Sequence, residues 1–344
     1  MEMNIRNRLF LMMIMLMVSL GIAGCSTDAP EGSAESEAPV ELGEDVGVEE
    51  AIEDRYMIED LGDRISFVDG RGQLLEISKK PGRVVVLMNS FVDIWVENGG
   101  EMVGMIEDPY NVVPGTENVE TVGRFGGISL EKIISLEPDL VILSSNSRSS
   151  SELIEPLQES GINILPLTYE FKEDYFKISE IFARLNDRMD MYEENAAQVK
   201  QDIEDIVQRI PNEDNPSVLI LFATSKSVTA RGSLSTLGEM FKDLKVNNIA
   251  ENGALMETAQ FSMEQVIADD PDFIFVQAMG SDMEAVNERL VSEVESNPAW
   301  NQLSAVKDGK YVILSKDLYT YKANSRYGEA YRGLAEMLYP EIFQ

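Results

Sequence analysis

The sequence predicts an α/β fold: two doubly wound α/β lobes joined by a long backbone helix. Three observations carry this reading. Short apolar runs alternate with helix-length amphipathic stretches, the order that strand–helix units require. One block occurs twice, as Ser129-Leu-Glu-Lys-Ile-Ile-Ser-Leu-Glu-Pro-Asp-Leu-Val-Ile and Ser262-Met-Glu-Gln-Val-Ile-Ala-Asp-Asp-Pro-Asp-Phe-Ile-Phe. Each copy reads as a capped helix, a Pro-Asp break and a strand. Strand–helix units reuse such caps, so the match suggests related lobes without requiring them. Between the copies, residues 171–210 contain no Gly or Pro. Their apolar residues, among them Phe176, Ile181, Leu185, Val199, Ile203 and Ile206, fall near helical spacing, so one or two consecutive helices are expected to link the lobes.

The elements follow in order. Arg6 and Arg8 precede an apolar run, Leu9 to Ala23, with the length of a signal-peptide core and too short for a comfortable membrane span. Residues 1–24 therefore read as a signal segment and 25–60 as an acidic flexible tether. Ser26 to Asp54 hold eleven acidic residues and no basic ones, so this stretch repels itself and has little apolar surface to bury. The first lobe is assigned to residues 61–170. A hairpin over 65–77 turns at Asp69-Gly70, and Val84 to Met88 has the continuous apolar character of a parallel strand. A helix from Phe91 to Asn98 ends at Gly99-Gly100, and a strand follows over 102–106. Ser129 caps a helix to Leu136, followed by a strand over 140–143, a helix over 152–160 and a strand over 162–167. Residues 171–210 form the connecting helix and 211–344 the second lobe. That lobe has strands over 218–222, 273–276 and 311–314. Its helices run over 237–244, from the Ser262 cap to Ala268, and over 284–294 and 326–338.

Composition removes several chemistries. The 344 residues include 61 acidic and 28 basic side chains, one cysteine and no histidine. Without histidine there is no Ser-His-Asp or Cys-His catalysis and no imidazole metal ligand. A single cysteine excludes internal disulfides and thiolate clusters. A net charge of −33 argues against nucleic acid as a partner. No Gly-x-Ser-x-Gly elbow or G-x-x-x-x-G-K-[ST] loop occurs, so an enzyme is not expected.

In open α/β sheets ligands sit beyond the carboxyl ends of the strands. That rule nominates Asn89, Ser90, Tyr110, Asn146, Arg148 and Tyr169 in the first lobe, and Thr224, Lys226, Gln277, Tyr319 and Tyr321 in the second. The tyrosines offer flat apolar faces, and the guanidinium of Arg148 suits carboxylate or catecholate oxygens. Core packing suits any single tyrosine equally well, and an ion pair with one of the many acids suits any single arginine.

Further motifs add to this reading. Gly21-Ile22-Ala23-Gly24-Cys25 looks like a bacterial lipobox. The acidic tether, the hairpin leading into Pro81-Gly82-Arg83 and the two helix–Pro-Asp–strand blocks follow. Then come Ala230-Arg231-Gly232, Gly238-Glu-Met-Phe-Lys-Asp-Leu, Asn297-Pro-Ala-Trp300, Val306-Lys-Asp-Gly-Lys-Tyr-Val and the Arg326 to Pro340 tail. Together, over about residues 60–344, these resemble the helical-backbone class of ABC-transporter substrate-binding proteins, which serve ferric siderophores, haem and cobalamin. The resemblance implies cleavage after Gly24, diacylglycerol on Cys25 and an extracytoplasmic monomer tethered to the membrane. It implies a ligand cleft between the lobes and brings Arg124, Phe125 and Arg231, read as loop residues, into it. It also implies docking to a permease dimer through one surface glutamate per lobe. Glu152 lies 13 residues after Asp139 and Glu284 12 after Asp272, although a solvated helix start explains such acids as well. No resident cofactor or metal is expected. The cargo ranks as ferric siderophore first, haem second through a tyrosinate, and cobalamin third. A structural or adhesive surface lipoprotein is the alternative from another class.

Overall fold

The structure, a computed structural model, describes residues 56–109, 111–213, 215–251 and 263–343. Cys25, Tyr110 and Ser262 lie outside the described residues, as do the signal segment and most of the tether.

The described chain opens with a small antiparallel sheet of β1 (Glu59–Asp60), β2 (Arg64–Val68) and β3 (Leu74–Ser78). The hairpin turn is longer than Asp69-Gly70 suggests, because Val68 pairs with Leu74 and leaves five residues in the loop. Asp69 organises it: its buried carboxylate accepts the Arg71 and Gln73 N–H groups at 2.8 and 3.0 Å and the Arg71 Nε at 2.8 Å.

The first lobe is a six-stranded sheet of β4 (Val84–Val86), β5 (Gly104–Glu107), β6 (Glu120–Arg124), β7 (Gly127–Ile128), β8 (Leu140–Ser144) and β9 (Asn163–Leu167). Its order is β7-β6-β5-β4-β8-β9, parallel except for β7. The second lobe holds β10 (Ser217–Ala223), β11 (Val228–Ala230), β12 (Asn247–Asn248), β13 (Phe273–Ala278) and β14 (Tyr311–Ile313). They run β11-β10-β13-β14, with β12 beside the start of β10.

Alternation explains the packing. Val84, Val86, Leu140 and Ile142 from the first sheet join Val218, Ile220, Phe273 and Phe275 from the second in one buried cluster. The intervening residues Val85, Leu87, Val141 and Leu143 face an outer layer with Ile133 and Leu157. Leu219, Leu221, Ile274 and Val276 do the same with Val286, Leu290 and Trp300. Both faces of each sheet are thus buried, which is why the strands read as unbroken apolar runs. The shared cluster also contains Phe182, Ile203 and Tyr331 from the Lys172–Asn186, Gln198–Gln208 and Tyr327–Leu338 helices. This middle layer joins the lobes through packed side chains rather than a bare linker.

Several elements differ from expectation, although the connecting segment, expected as one or two consecutive helices, is two helical stretches. The first ends at Asp187, whose left-handed backbone (φ 59) closes Lys172–Asn186, a conformation Asp tolerates better than most residues. The second runs from Met189–Tyr192 through a π-turn at Glu193–Ala197 into Gln198–Gln208. Strands β6, β7, β11 and β12 fall outside the expected elements because they are short and carry little apolar content; in β6 only Val122 is fully buried. Gly123 holds the β6–β7 hairpin at φ 121, where a Cβ would meet the Gly127 carbonyl at 2.4 Å. The expected 152–160 helix is split into Arg148–Ser151 and Ile154–Glu159, and Glu152 is the residue closing the first piece. The 284–294 helix likewise passes into a π-turn at Val291–Glu295.

Gly238 lies where the Thr236–Asp243 helix meets the preceding loop. A Cβ there would sit 2.0 Å from the Gly232 carbonyl oxygen. Because backbone rather than a flexible side chain is in the way, Gly238→Ala is expected to cost about 2–3 kcal/mol. Urea unfolding should show it as a lower midpoint at unchanged m-value.

Candidate functional site

The parallel strands place the loops after β4, β5, β8 and β9 on one edge of the first sheet, and those after β10, β13 and β14 on one edge of the second. Contacts between these loops show that the two edges meet. The Tyr169 hydroxyl, just after β9, donates to Asn324 Oδ1 at 2.8 Å and lies 3.3 Å from the Tyr327 hydroxyl. Asn324 Nδ2 donates to the Ser90 carbonyl at 3.2 Å and to Asp93 Oδ2 at 2.6 Å. Lys322 Nζ donates to the Glu170 carbonyl and, at 2.8 Å, to Thr236 Oγ1, which itself donates to the Glu170 carbonyl at 3.2 Å. The Lys322 ammonium also stands 4.7 Å from the Tyr169 ring centroid. These residues form the seam where the two sheet edges meet.

The predicted residues divide accordingly. Tyr169, Tyr319 and Gln277 are buried. Tyr169 stacks on Phe91 at 6.3 Å, the Tyr319 hydroxyl donates to the Ala330 carbonyl at 3.2 Å, and Gln277 Nε2 donates to the Tyr319 carbonyl. Burial pushes the Tyr169 phenol well above its usual value and the Tyr319 phenol up to about 12. Asn89 is partly buried, and its amide donates to the Asn111 carbonyl at 2.8 Å. Asn146 is exposed, accepts from Ser144 Oγ at 2.6 Å and donates to Glu170 Oε1 at 3.1 Å. Thr224 Oγ1 is occupied by the tight turn to Ser227, accepting its N–H at 3.1 Å, and Lys226 on that turn is exposed. Lys316 lies 5.5 Å from the Tyr321 ring.

The arginines separate sharply. Arg124 ends strand β6 rather than occupying a loop, and clamps Glu107 through Nε and Nη2 at 3.0 and 2.8 Å. Phe125, at the β6–β7 turn, is 74% exposed. Arg148 extends into solvent and pairs with Glu152 at 2.9 Å, its side chain 92% exposed. Glu152 is therefore neither at a helix start nor without a counter-charge. Arg231 follows β11, its guanidinium carbon 4.3 Å above the Phe222 ring. It is partly buried, and burial lowers its pKa. Among the described residues no carboxylate lies within ion-pair distance of it. Glu284 is exposed in the first turn of the Met283–Leu290 helix, beside a depression of about 550 Å³ lined also by Met283, Glu288 and Val291.

Sequence reasoning missed Asp93, Glu97, Thr236 and Asn324 at the seam, where Glu97 accepts from the Ser325 hydroxyl. Asp93 and Glu97 read as ordinary polar positions of an amphipathic helix. The one local signal at Asn324 is its left-handed backbone, φ 51, which Asn adopts more readily than most side chains. Among the described residues no group of three acidic or cysteine side chains is placed to hold a metal ion, and no helix is long and apolar enough to cross a membrane.

Two α/β lobes whose strand-end loops meet at a common seam have the architecture of a two-lobed binding protein. The chain belongs to the periplasmic binding protein family, whose pattern matches residues 84–318. It is 27% identical over 289 residues, covering 81% of this chain and 87% of the relative, to an uncharacterized ABC transporter substrate-binding lipoprotein, YvrC, of Bacillus subtilis (strain 168). It is 28% identical over 253 residues, 71% of this chain and 76% of the relative, to the Fe(3+)-citrate-binding protein YfmC of the same organism. The fold is similar to that of Staphylococcus aureus SirA complexed with staphyloferrin B. The TM-score is 0.63 at 20% identity, covering 79% of this chain and 98% of that one.

Proposed function

We propose that this protein is the lipid-anchored, extracytoplasmic binding component of an ABC importer. It takes a ferric siderophore between its lobes and delivers it to a permease dimer, with no catalytic step of its own. The observation that carries the cargo reading is Arg231, a partly desolvated guanidinium beside an aromatic face with no carboxylate partner among the described residues. A weakly hydrated fork in that setting favours a delocalised anion such as a carboxylate or catecholate chelate. The names of YvrC and YfmC support the transport role and an iron chelate as cargo. Haem ranks lower on physical grounds: an axial tyrosinate needs a phenol that ionises readily, and burial holds Tyr169 and Tyr319 in the opposite direction. Cobalamin, lacking the dense negative charge, would leave Arg231 unanswered.

Anchoring rests on the lipobox-like run ending at Cys25. Docking to the permease is assigned to Glu152 and Glu284, with Glu152 presenting its carboxylate together with Arg148.

Native mass spectrometry of the protein isolated from its host should reveal one chelate per chain. Titration of the purified protein with ferric siderophores, ferric citrate, haem and cobalamin should raise the melting temperature with the iron chelates above the others. At a hundredfold excess over Kd the gain is about 2.7 kcal/mol. A flat response across the whole panel would leave only the structural lipoprotein. Both tryptophans, Trp95 and Trp300, are buried, so fluorescence quenching by cargo would have to act through energy transfer rather than contact.

A further inference from the structure

The Asn89–Glu97 helix turns two acids, Asp93 and Glu97, toward the second lobe. Asp93 Oδ2 accepts from Asn324 Nδ2 at 2.6 Å, and Glu97 Oε1 accepts from the Ser325 hydroxyl. Glu97 Oε2 is buried with no hydrogen-bond partner among the described residues. Neither carboxylate forms an ion pair among those residues. The cation acting on Asp93 is Arg326, which is itself held by Asp317 at 2.8 Å and Glu329 at 2.7 Å.

The other groups around the pair add no positive charge in contact with it. Tyr175, from the Lys172–Asn186 helix, presents a buried hydroxyl without a partner among the described residues. Tyr169 and Tyr327 complete the phenolic side, with Lys322 beyond the Tyr169 ring. From the π-turn, Asn195 Nδ2 donates to the Glu97 backbone carbonyl at 3.0 Å. Two neighbouring carboxylates in such a setting resist being charged together, because each loses hydration and repels the other.

We propose that Asp93 and Glu97 hold one proton between them where the lobes meet, so that the inter-lobe contact is a proton-dependent clasp. Burial and the Asp93 charge push the Glu97 carboxyl up to about 8, and burial also raises Asp93. The sign follows from linkage. A glutamate near 4.5 when unfolded and near 8 when folded makes the folded state bind the extra proton between those values. Its favourable contribution is present in full below the unfolded value and declines as pH rises through the window, levelling off above about 8. The inference does not depend on which cargo is bound.

The test compares the full chain with its Glu97→Gln and Ser325→Ala variants, without cargo, by chemical unfolding and amide exchange between pH 5.5 and 7.5. That window stays below Lys322, which burial pushes down to about 8. One linked proton changes the folding equilibrium tenfold per pH unit, so the wild type should lose about 100-fold more across the window than Glu97→Gln. Protection factors of the amides of residues 324–331, with the intrinsic rise of exchange with pH divided out, should fall between pH 5.5 and 7.5 in the wild type and stay level in Glu97→Gln. Ser325→Ala removes a donor that favours the ionised carboxylate; in a second comparison with the wild type from pH 7 to 9, where the Lys322 contribution is common to both chains, the decline should end at higher pH in the variant. Parallel pH curves for wild type and Glu97→Gln would overturn the proposal. An unmoved Ser325→Ala profile would overturn the placement of the proton on Glu97.

Discussion

Arg231→Ala is expected to weaken binding of an anionic iron chelate by about 10- to 100-fold, or roughly 1.4–2.8 kcal/mol, with little change in thermal stability. The size of the effect comes from context. The Arg231 guanidinium is partly desolvated above Phe222, and a charge-assisted hydrogen bond made there has little water to compete with it. Arg148 is the control. Its side chain is almost wholly in solvent and paired with Glu152, so Arg148→Ala should change affinity less than twofold. Calorimetric titration of both variants with the same ferric chelate separates the cases. Equal losses would mean that net charge rather than a built contact attracts the cargo. No loss at Arg231 would remove the basis for an anionic ligand.

Trp95→Ala is expected to cost about 3–5 kcal/mol of folding stability. The side chain is fully buried in the Asn89–Glu97 helix, edge-on to Phe182 at 5.1 Å, and its Nε1 donates to the Glu101 carbonyl at 2.9 Å. Truncation opens a cavity between the first sheet and the connecting helix and leaves the Glu101 carbonyl without that donor. The damage lies at the layer shared by both lobes, so denaturant unfolding should remain a single transition with a lower midpoint. Two separated transitions would show that the lobes do not depend on this common layer.

How much was legible in the sequence differs between backbone and site. Val84–Val86, Leu140–Ser144 and Phe273–Ala278 could be read because both sides of those strands are buried, leaving continuous apolar runs. Ser129 could be read because capping is local: its side chain accepts the Lys132 N–H at 3.2 Å, three residues away. Short strands such as β6 escaped, since pairing alone, with one fully buried side chain, imprints no period on the sequence. The break at Asp187 depends on a single left-handed residue, which leaves the spacing of the flanking apolar residues nearly intact.

The site was less legible. Loops beyond the strand ends could be nominated from topology, but Tyr169 and Arg148 looked alike as candidates. One became a seam residue 4% exposed and the other a solvated ion pair.

The sequence by itself determined the strand–helix alternation, the Ser129 cap and the chemistries excluded by composition, because these depend on residue type and on contacts within a few positions. Tertiary structure alone decided which polar groups share the seam. Asn324 reaches Asp93 across 231 positions of chain, and Tyr169 reaches Asn324 across 155. Such pairings, and the loss of water that gives Glu97, Lys322 and Arg231 their altered proton affinities, exist only once the two sheets have closed on their common helical layer.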